Sequence, residues 1–429
     1  MQDAAPRLRS LVEQLLGAPL PLRIRAWDGS EAGPPAAPVL VVRNRRALRR
    51  LLWKPGELGL ARAWVAGDLT IEGDLYAALD LSSGLIWERG QDARGLGAAL
   101  RDPEVRAAVR GLVRMSGLPL PPAPPPEEVR RHRHLHTRRT DRSAISHHYD
   151  VGNDFYELVL GPSMVYSCAY WQEGGTLEDA QRDKLELVCR KLDLKPGQRL
   201  LDVGCGWGSM AVHAARDHGA YVVGVTLSQE QATYARKRVA EEGLADRVEI
   251  RVQDYRDVTD GPYDAISSIG MAEHVGADRY LEYAEVLGRL LAPGGRLLNH
   301  QIGRRPQRDE SSYAVDAFID AYVFPDGELA PIGTTVTQLE RAGFEVRDVE
   351  ALREHYALTL RRWVANLESG WPRAVRIAGG GRARVWRLYM AASAVAFERN
   401  QIGVNQVLAV KTPDDSGASG MPLRARTWN

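Results

Sequence analysis

Short apolar runs alternate with longer amphipathic stretches along the second half of this chain. Leu200, Leu201 and Val203 form a brief apolar run of the kind that a buried parallel strand presents. Ser209–His218 predicts a helix directly after it. Tyr221–Val225, Val248–Val252, Tyr263–Ile269 and Arg296–Gly303 read as four further strands, with a helix over Gln229–Glu242. An amphipathic helix over Thr176–Leu192 leads into the first strand. Strand and helix alternate from 198 to 303, the pattern of an α/β domain around a mostly parallel sheet.

The N-terminal pattern is different. Leu11–Leu16 reads as helix, and Leu22–Trp27 alternates apolar with polar before an Asp28-Gly29 turn. Val39–Val42 predicts a strand, Arg45–Trp53 a helix broken by Pro55-Gly56, and 67–74 carries another short strand. A small α+β domain over 1–116 follows from this. Residues 117–126 are rich in proline and form a semi-rigid linker. The linker continues through a basic, histidine-containing stretch to 142, and the second domain runs from 143 to 429. The basic stretch is either a solvated face or a contact for anionic lipid headgroups, worth about 1 kcal/mol per basic residue near such a surface.

Composition narrows the classes. At 429 residues two domains are expected, and a net charge of +1 provides no global field toward nucleic acid. Cys168, Cys189 and Cys205 form no C-x-x-C pair, and His132, His134 and His136 lack a nearby carboxylate or thiolate, so no metal site is expected. No apolar run approaches the ~18 residues of a membrane span. A cytoplasmic protein is expected, with any membrane contact peripheral and on the inner face.

The candidate chemistry lies at the strand ends. Asp202 is followed by Gly204, Gly206 and Gly208, a spacing that departs from the dinucleotide fingerprint. The run D-V-G-C-G-W-G instead resembles the first motif of class I S-adenosylmethionine (SAM) methyltransferases, in which the turn packs against the amino-acid part of SAM. The second strand ends in Thr226-Leu227-Ser228, polar but uncharged, where many SAM enzymes carry an acid for the ribose. Asp254, after the third strand, is placed either to accept from an adenine amino group or to cap a turn. Glu273 and His300 lie at the carboxyl ends of the fourth and fifth strands, where α/β enzymes carry out chemistry.

A longer series of motifs carries a sharper resemblance. S-H-H-Y-D-V-G-N-D-F-Y (146–156), M-V-Y-S-C-A-Y-W (164–171), the glycine turn, G-V-T-L-S-Q-E-Q (224–231), Q-D-Y-R-D (253–257), G-M-A-E-H-V-G (270–276), L-N-H-Q-I-G (298–303) and H-Y-A-L-T-L-R-R-W (355–363) occur in that order. Together they resemble the cyclopropane-fatty-acyl-phospholipid synthase family, which includes the mycolic acid cyclopropane synthases. The resemblance implies a Rossmann-like catalytic domain preceded by a small lipid-contacting domain. It also implies transfer of a methylene carbon from SAM to a cis double bond of an unsaturated phospholipid acyl chain, with bound bicarbonate as the base, and it suggests a homodimer. For SAM it implies Tyr166, Ser167, Gly204, Gly206, Thr226, Ser228, Gln231, Gln253 and Asp254. For bicarbonate it implies Cys168, Glu273, His300, Ile302 and Tyr356. Trp171, Phe318, Tyr322, Phe324, Trp363 and Tyr389 are candidates for lining an acyl slot or for plain core packing. Asn299 and Ala272 depart from the family pattern and could alter how a carbocation is handled, giving a methylene branch instead of a ring.

Overall fold

The computed structural model describes residues 3–83, 102–117, 120–129, 151–325, 327–413, 417–424 and 426. The basic stretch 130–142 and the S-H-H-Y-D segment lie outside the described residues. The chain divides into two compact units.

The first unit comprises 1–131 together with 316–323 and 378–395. Its elements are α1 (Ala4–Leu16), β1 (Arg23–Arg25), β2 (Glu31–Ala32), β3 (Val39–Val42), α2 (Arg46–Trp53), α3 (Glu57–Val65), β4 (Leu69–Glu72), α4 (Leu75–Ser83) and α5 (Pro103–Ser116). The four-stranded sheet has the order β2-β1-β3-β4. Strand alternation explains it: Ile24 is buried with Leu8, Leu22, Val42 and Leu48, while Arg25 points outward to Glu31 and Glu72. Beneath the sheet Asp68 is buried and held by Arg50 at 2.9 Å and Asn44 at 2.8 Å.

Two later segments belong to this unit although the linker places them in the C-terminal domain on sequence grounds. The helix Ala317–Tyr322 carries the Tyr322 hydroxyl that donates to Glu128 at 2.9 Å. In 378–395, Arg384 donates to the Val65 carbonyl at 2.8 Å and accepts Trp64 Nε1–H on its own carbonyl at 2.9 Å. Contacts this distant in sequence leave no periodic trace in it.

The second unit holds the remaining described residues. Its elements include α6 (Asn153–Leu160), α7 (Leu177–Leu192), β5 (Arg199–Val203), α8 (Ser209–His218), β6 (Tyr221–Thr226), α9 (Gln229–Glu241), β7 (Val248–Val252), β8 (Tyr263–Ile269), α10 (Tyr280–Leu290), β9 (Leu291–Arg304), α11 (Ile332–Arg341), β10 (Glu345–Ala351), α12 (Arg353–Ser369) and β11 (Ile402–Val410). The sheet order is β10-β11-β9-β8-β5-β6-β7. The five expected strands are parallel, and β11 and β10 add antiparallel to the β9 edge. Side chains alternate between two cores. Leu200, Leu298 and Leu408 face α7 and α8, while Leu201, Leu297 and Val407 face α10 and α11. Among the described residues no helix is long and apolar enough to cross a membrane.

In the first unit, the N-terminus of Ala317–Tyr322 holds two carboxyl groups. Asp316 accepts from Phe318 N–H at 3.0 Å, and Glu57 accepts from Ala317 and Phe318 N–H at 3.2 and 3.3 Å. Burial, then the hydrogen bond to Asp316, pushes Glu57 up to about 8. Its folded-state value is raised, so its stabilising contribution is complete below the usual carboxylate range and is lost as pH rises toward 8. Glu57→Gln keeps the neutral shape. The melting-temperature difference between variant and wild type should therefore move in the variant's favour between pH 5 and pH 8.5, and a constant difference would show that Glu57 does not titrate there.

Candidate active site

The site begins where β5 ends. The chain turns through Gly204, Gly206 and Gly208 at φ values of 76°, 54° and 80°, a region in which a side chain is strained. The Gly204 and Cys205 N–H groups both donate to the Val225 carbonyl at 3.0 Å, tying the turn to β6. On the other side Trp207 Nε1–H donates to Asn153 Oδ1 at 2.8 Å, so the V-G-N-D-F-Y motif packs on the turn through α6.

Around the turn lies an open cavity of about 930 Å³, its mouth included. Seven of the nine residues expected for SAM line it: Tyr166, Ser167, Gly204, Gly206, Thr226, Gln231 and Gln253. Ser228 and Asp254 are not part of that lining. Ser228 caps α9, accepting from Gln231 N–H at 3.2 Å, and its own N–H donates to Thr226 Oγ1. The Thr226 hydroxyl donates to Gln231 Oε1 at 2.8 Å, so these three residues form one knot at the end of β6. Asp254 caps the turn after β7 and is held by Arg256 at 2.8 and 2.6 Å.

The cavity also holds charge that sequence reading missed. Lys184 is buried, and its ammonium donates to Ser167 Oγ at 2.9 Å. Burial lowers it to about 8. Asp202 is buried nearby, raised by burial to about 6, with Oδ1 accepting from Ser267 at 2.7 Å. Lys184 had a visible signal. It stands seven residues after Leu177, on the apolar stripe that Ala180 and Leu185 continue. His274 lines the cavity as well, and burial lowers it to about 4, so it is neutral near pH 7.

The five residues expected for bicarbonate lie outside the described cavity lining, but a chain of contacts joins four of them. Ile302 pairs with Val404 across β9 and β11. The Val404 carbonyl accepts from Leu352 N–H at 2.8 Å, and the Leu352 carbonyl accepts from Tyr356 N–H at 3.1 Å. Cys168 Sγ donates to the same Leu352 carbonyl at 3.6 Å. Glu273 Oε1 accepts from Ile302 N–H at 2.8 Å. The Ile302 N–H therefore serves Glu273 in this structure. Burial also raises the Cys168 thiol, which argues against a nucleophile.

His300 sits two residues before Ile302, on the same face of β9. Gln406 Nε2 lies 3.3 Å from its Nδ1, an arrangement that puts the ring proton on Nε2. Burial holds the imidazole well below its usual range, so it is neutral. Burial raises the Glu273 carboxyl to about 7. Glu273 Oε2 and His300 Nε2 are both buried without a hydrogen-bond partner among the described residues.

Asn299 faces the other way. Its side chain bonds Tyr280, Tyr283 and Gln301 at 3.2, 3.1 and 2.7 Å in a buried network behind the sheet. It is therefore not placed to touch a carbocation on the His300 face. Ala272 is buried in the same rear core. The apolar candidates separate: Trp171, Phe324 and Trp363 belong to the second unit, and Phe318, Tyr322 and Tyr389 to the first. Trp363 stacks near Tyr166 with ring centroids 5.4 Å apart.

Comparison with known proteins identifies the family. The family model described as mycolic acid cyclopropane synthetase matches residues 136–407. The chain is 46% identical to a probable fatty acid methyltransferase of Mycobacterium tuberculosis over 94% of each sequence. It is 41% identical to the cyclopropane-fatty-acyl-phospholipid synthase of Escherichia coli over 61% of this chain and 66% of that one. A solved mycolic acid cyclopropane synthase complexed with SAH and CTAB superposes with a TM-score of 0.59 and 33% identity, covering 62% of this chain and 97% of its own. The second unit thus has the class I SAM methyltransferase fold, and the chain belongs to the mycolic acid cyclopropane synthetase family of SAM-dependent methyltransferases.

Proposed function

We propose that this enzyme is a cyclopropane fatty acid synthase acting on the cis double bond of unsaturated phospholipid acyl chains, with SAM as donor and bicarbonate as base. The observation that carries the reading is that Glu273 Oε2, just after β8, and His300 Nε2, on the neighbouring β9, are each buried without a hydrogen-bond partner among the described residues. A small oxyanion carrying one proton matches them, since neutral His300 offers N–H and Glu273 offers a carboxylate oxygen. Bound there, bicarbonate would supply the base for the proton that leaves as the ring closes. The apolar surroundings serve the same end, because a carbocation formed from an alkene must be kept from water.

At the cofactor end, Lys184 and Asp202 form opposite charges that suit the carboxylate and ammonium of the methionyl group. The Thr226–Ser228–Gln231 knot stands where an acidic ribose ligand is missing. The basic stretch and the N-terminal unit would bring the enzyme to the inner face of a membrane.

A second reading is favoured by one observation: the relative matched over 94% of both chains is a probable fatty acid methyltransferase. A methylene-branched product would add the same mass as a ring, and proton NMR of the acyl chains separates them. Vesicles of a monounsaturated phospholipid with SAM should yield high-field cyclopropane signals that grow with added bicarbonate. Exocyclic alkene signals would replace this reading with the second.

Glu273→Gln should lower kcat by at least ~100-fold, the usual scale for a lost acid–base group. Wild-type kcat should fall as pH drops through about 7, where Glu273 takes up a proton, and the residual activity of the variant should lack that limb. Lys184→Met should weaken SAH binding by about 10–100-fold, the equivalent of a charge-assisted hydrogen bond. It should leave binding of 5′-methylthioadenosine, which lacks the amino-acid end, unchanged, and an equal loss for both ligands would reject this role for Lys184.

A further inference from the structure

Away from the cofactor cavity, the ends of α7 and α8 bring three metal-ligating side chains together, and a fourth, Glu186, contacts two of them. Cys189 and His213 are buried and His218 is partly so, and one ligand atom from each lies within 4.8 Å of the others. Glu186, one turn before Cys189 on α7, places Oε2 at 3.2 Å from His213 Nε2 and 2.9 Å from His218 Nε2. A tetrahedral zinc site with bonds of about 2.0–2.3 Å has ligand-to-ligand edges of about 3.3–3.7 Å, so the Glu186–histidine contacts are near such an edge and the other three atoms lie within a small inward shift of it.

His213 also places Nδ1 at 2.9 Å from Asp217 Oδ2. A divalent cation would accept both Nε2 lone pairs, and His213 Nδ1–H would still donate to Asp217. That carboxylate–histidine–metal relay is how protein metal sites orient their imidazoles. Arg190 Nε holds the other Glu186 oxygen at 2.7 Å, and Arg216 pairs with Asp217 at 2.9 Å, so both carboxylates are fixed from outside.

We propose that Glu186, Cys189, His213 and His218 form a binding site for a zinc-class divalent cation, with Asp217 orienting His213. The mixed sulfur, nitrogen and oxygen donor set suits Zn²⁺ and its spectroscopic substitute Co²⁺. The site is structural. It clamps α7, which carries Lys184, to α8, whose first residues Ser209 and Met210 line the cofactor cavity.

Full-length protein stripped with a chelator and titrated with Co²⁺ tests this. One equivalent should produce tetrahedral d–d bands and a near-ultraviolet thiolate-to-cobalt charge-transfer band. Zn²⁺ should displace the colour and raise the melting temperature. Cys189→Ser should lose the charge-transfer band, and Asp217→Asn should weaken binding by about 10–100-fold, as loss of an orienting carboxylate does elsewhere. His218→Ala, at the partly exposed position, keeps the test available if the buried cysteine cannot be replaced without unfolding. Absence of a cobalt spectrum in the wild type would overturn the proposal. So would a spectrum unchanged in both Cys189→Ser and His218→Ala, since the ion would then sit elsewhere, for instance on the histidines at 132, 134 and 136.

Discussion

The two-residue alternation of one buried strand constrains most of this molecule. β9 lies between β8 and β11 with both faces covered. Asn299 and Gln301 turn into a polar network with Tyr280, Tyr283 and Thr335, where every donor and acceptor can be met within the core. His300 turns the opposite way, toward Gln406, and the backbone N–H of Ile302 donates to Glu273. A register slip of one residue would exchange these sets, burying the histidine among tyrosines and presenting an amide to the site. Pairing with β11 over nine residues holds the register.

Burial then sets the electrostatics. Glu273, His300, Lys184 and Asp202 are drawn toward their neutral forms chiefly by loss of water. A carboxyl near 7 can exchange a proton at neutral pH, while a neutral imidazole can only offer the N–H that its partner leaves it. The two groups are therefore complementary without being paired to each other. The tie from Glu273 to the Ile302 N–H holds one carboxylate oxygen still and leaves the other buried without a partner among the described residues.

The same helices serve two purposes. α7 places Lys184 into the cofactor cavity on one turn and Glu186 and Cys189 beside the α8 histidines on the next. A cluster that fixes α7 against α8 thereby fixes the position of the ammonium, because helices packed in a dense core move as rigid bodies.

The sequence by itself determined the α/β alternation and the glycine turn. These depend on local periodicity and on backbone conformations that only glycine adopts freely. The chain of motifs placed the protein in its family for the same reason, since each motif is contiguous. Tertiary structure decided what depends on distant neighbours. It added β10 and β11 beyond the last expected strand, and it drew 316–323 and 378–395 into the first unit. It turned Asp254 into a cap for Arg256 and committed the Ile302 N–H to Glu273. It buried Lys184, whose charge suggests a solvated face, and it gathered Cys189, His213 and His218, whose spacing matches no metal motif. Period and turn chemistry are written in adjacent residues, whereas burial and hydrogen-bond partnership exist only once the strands and helices have packed.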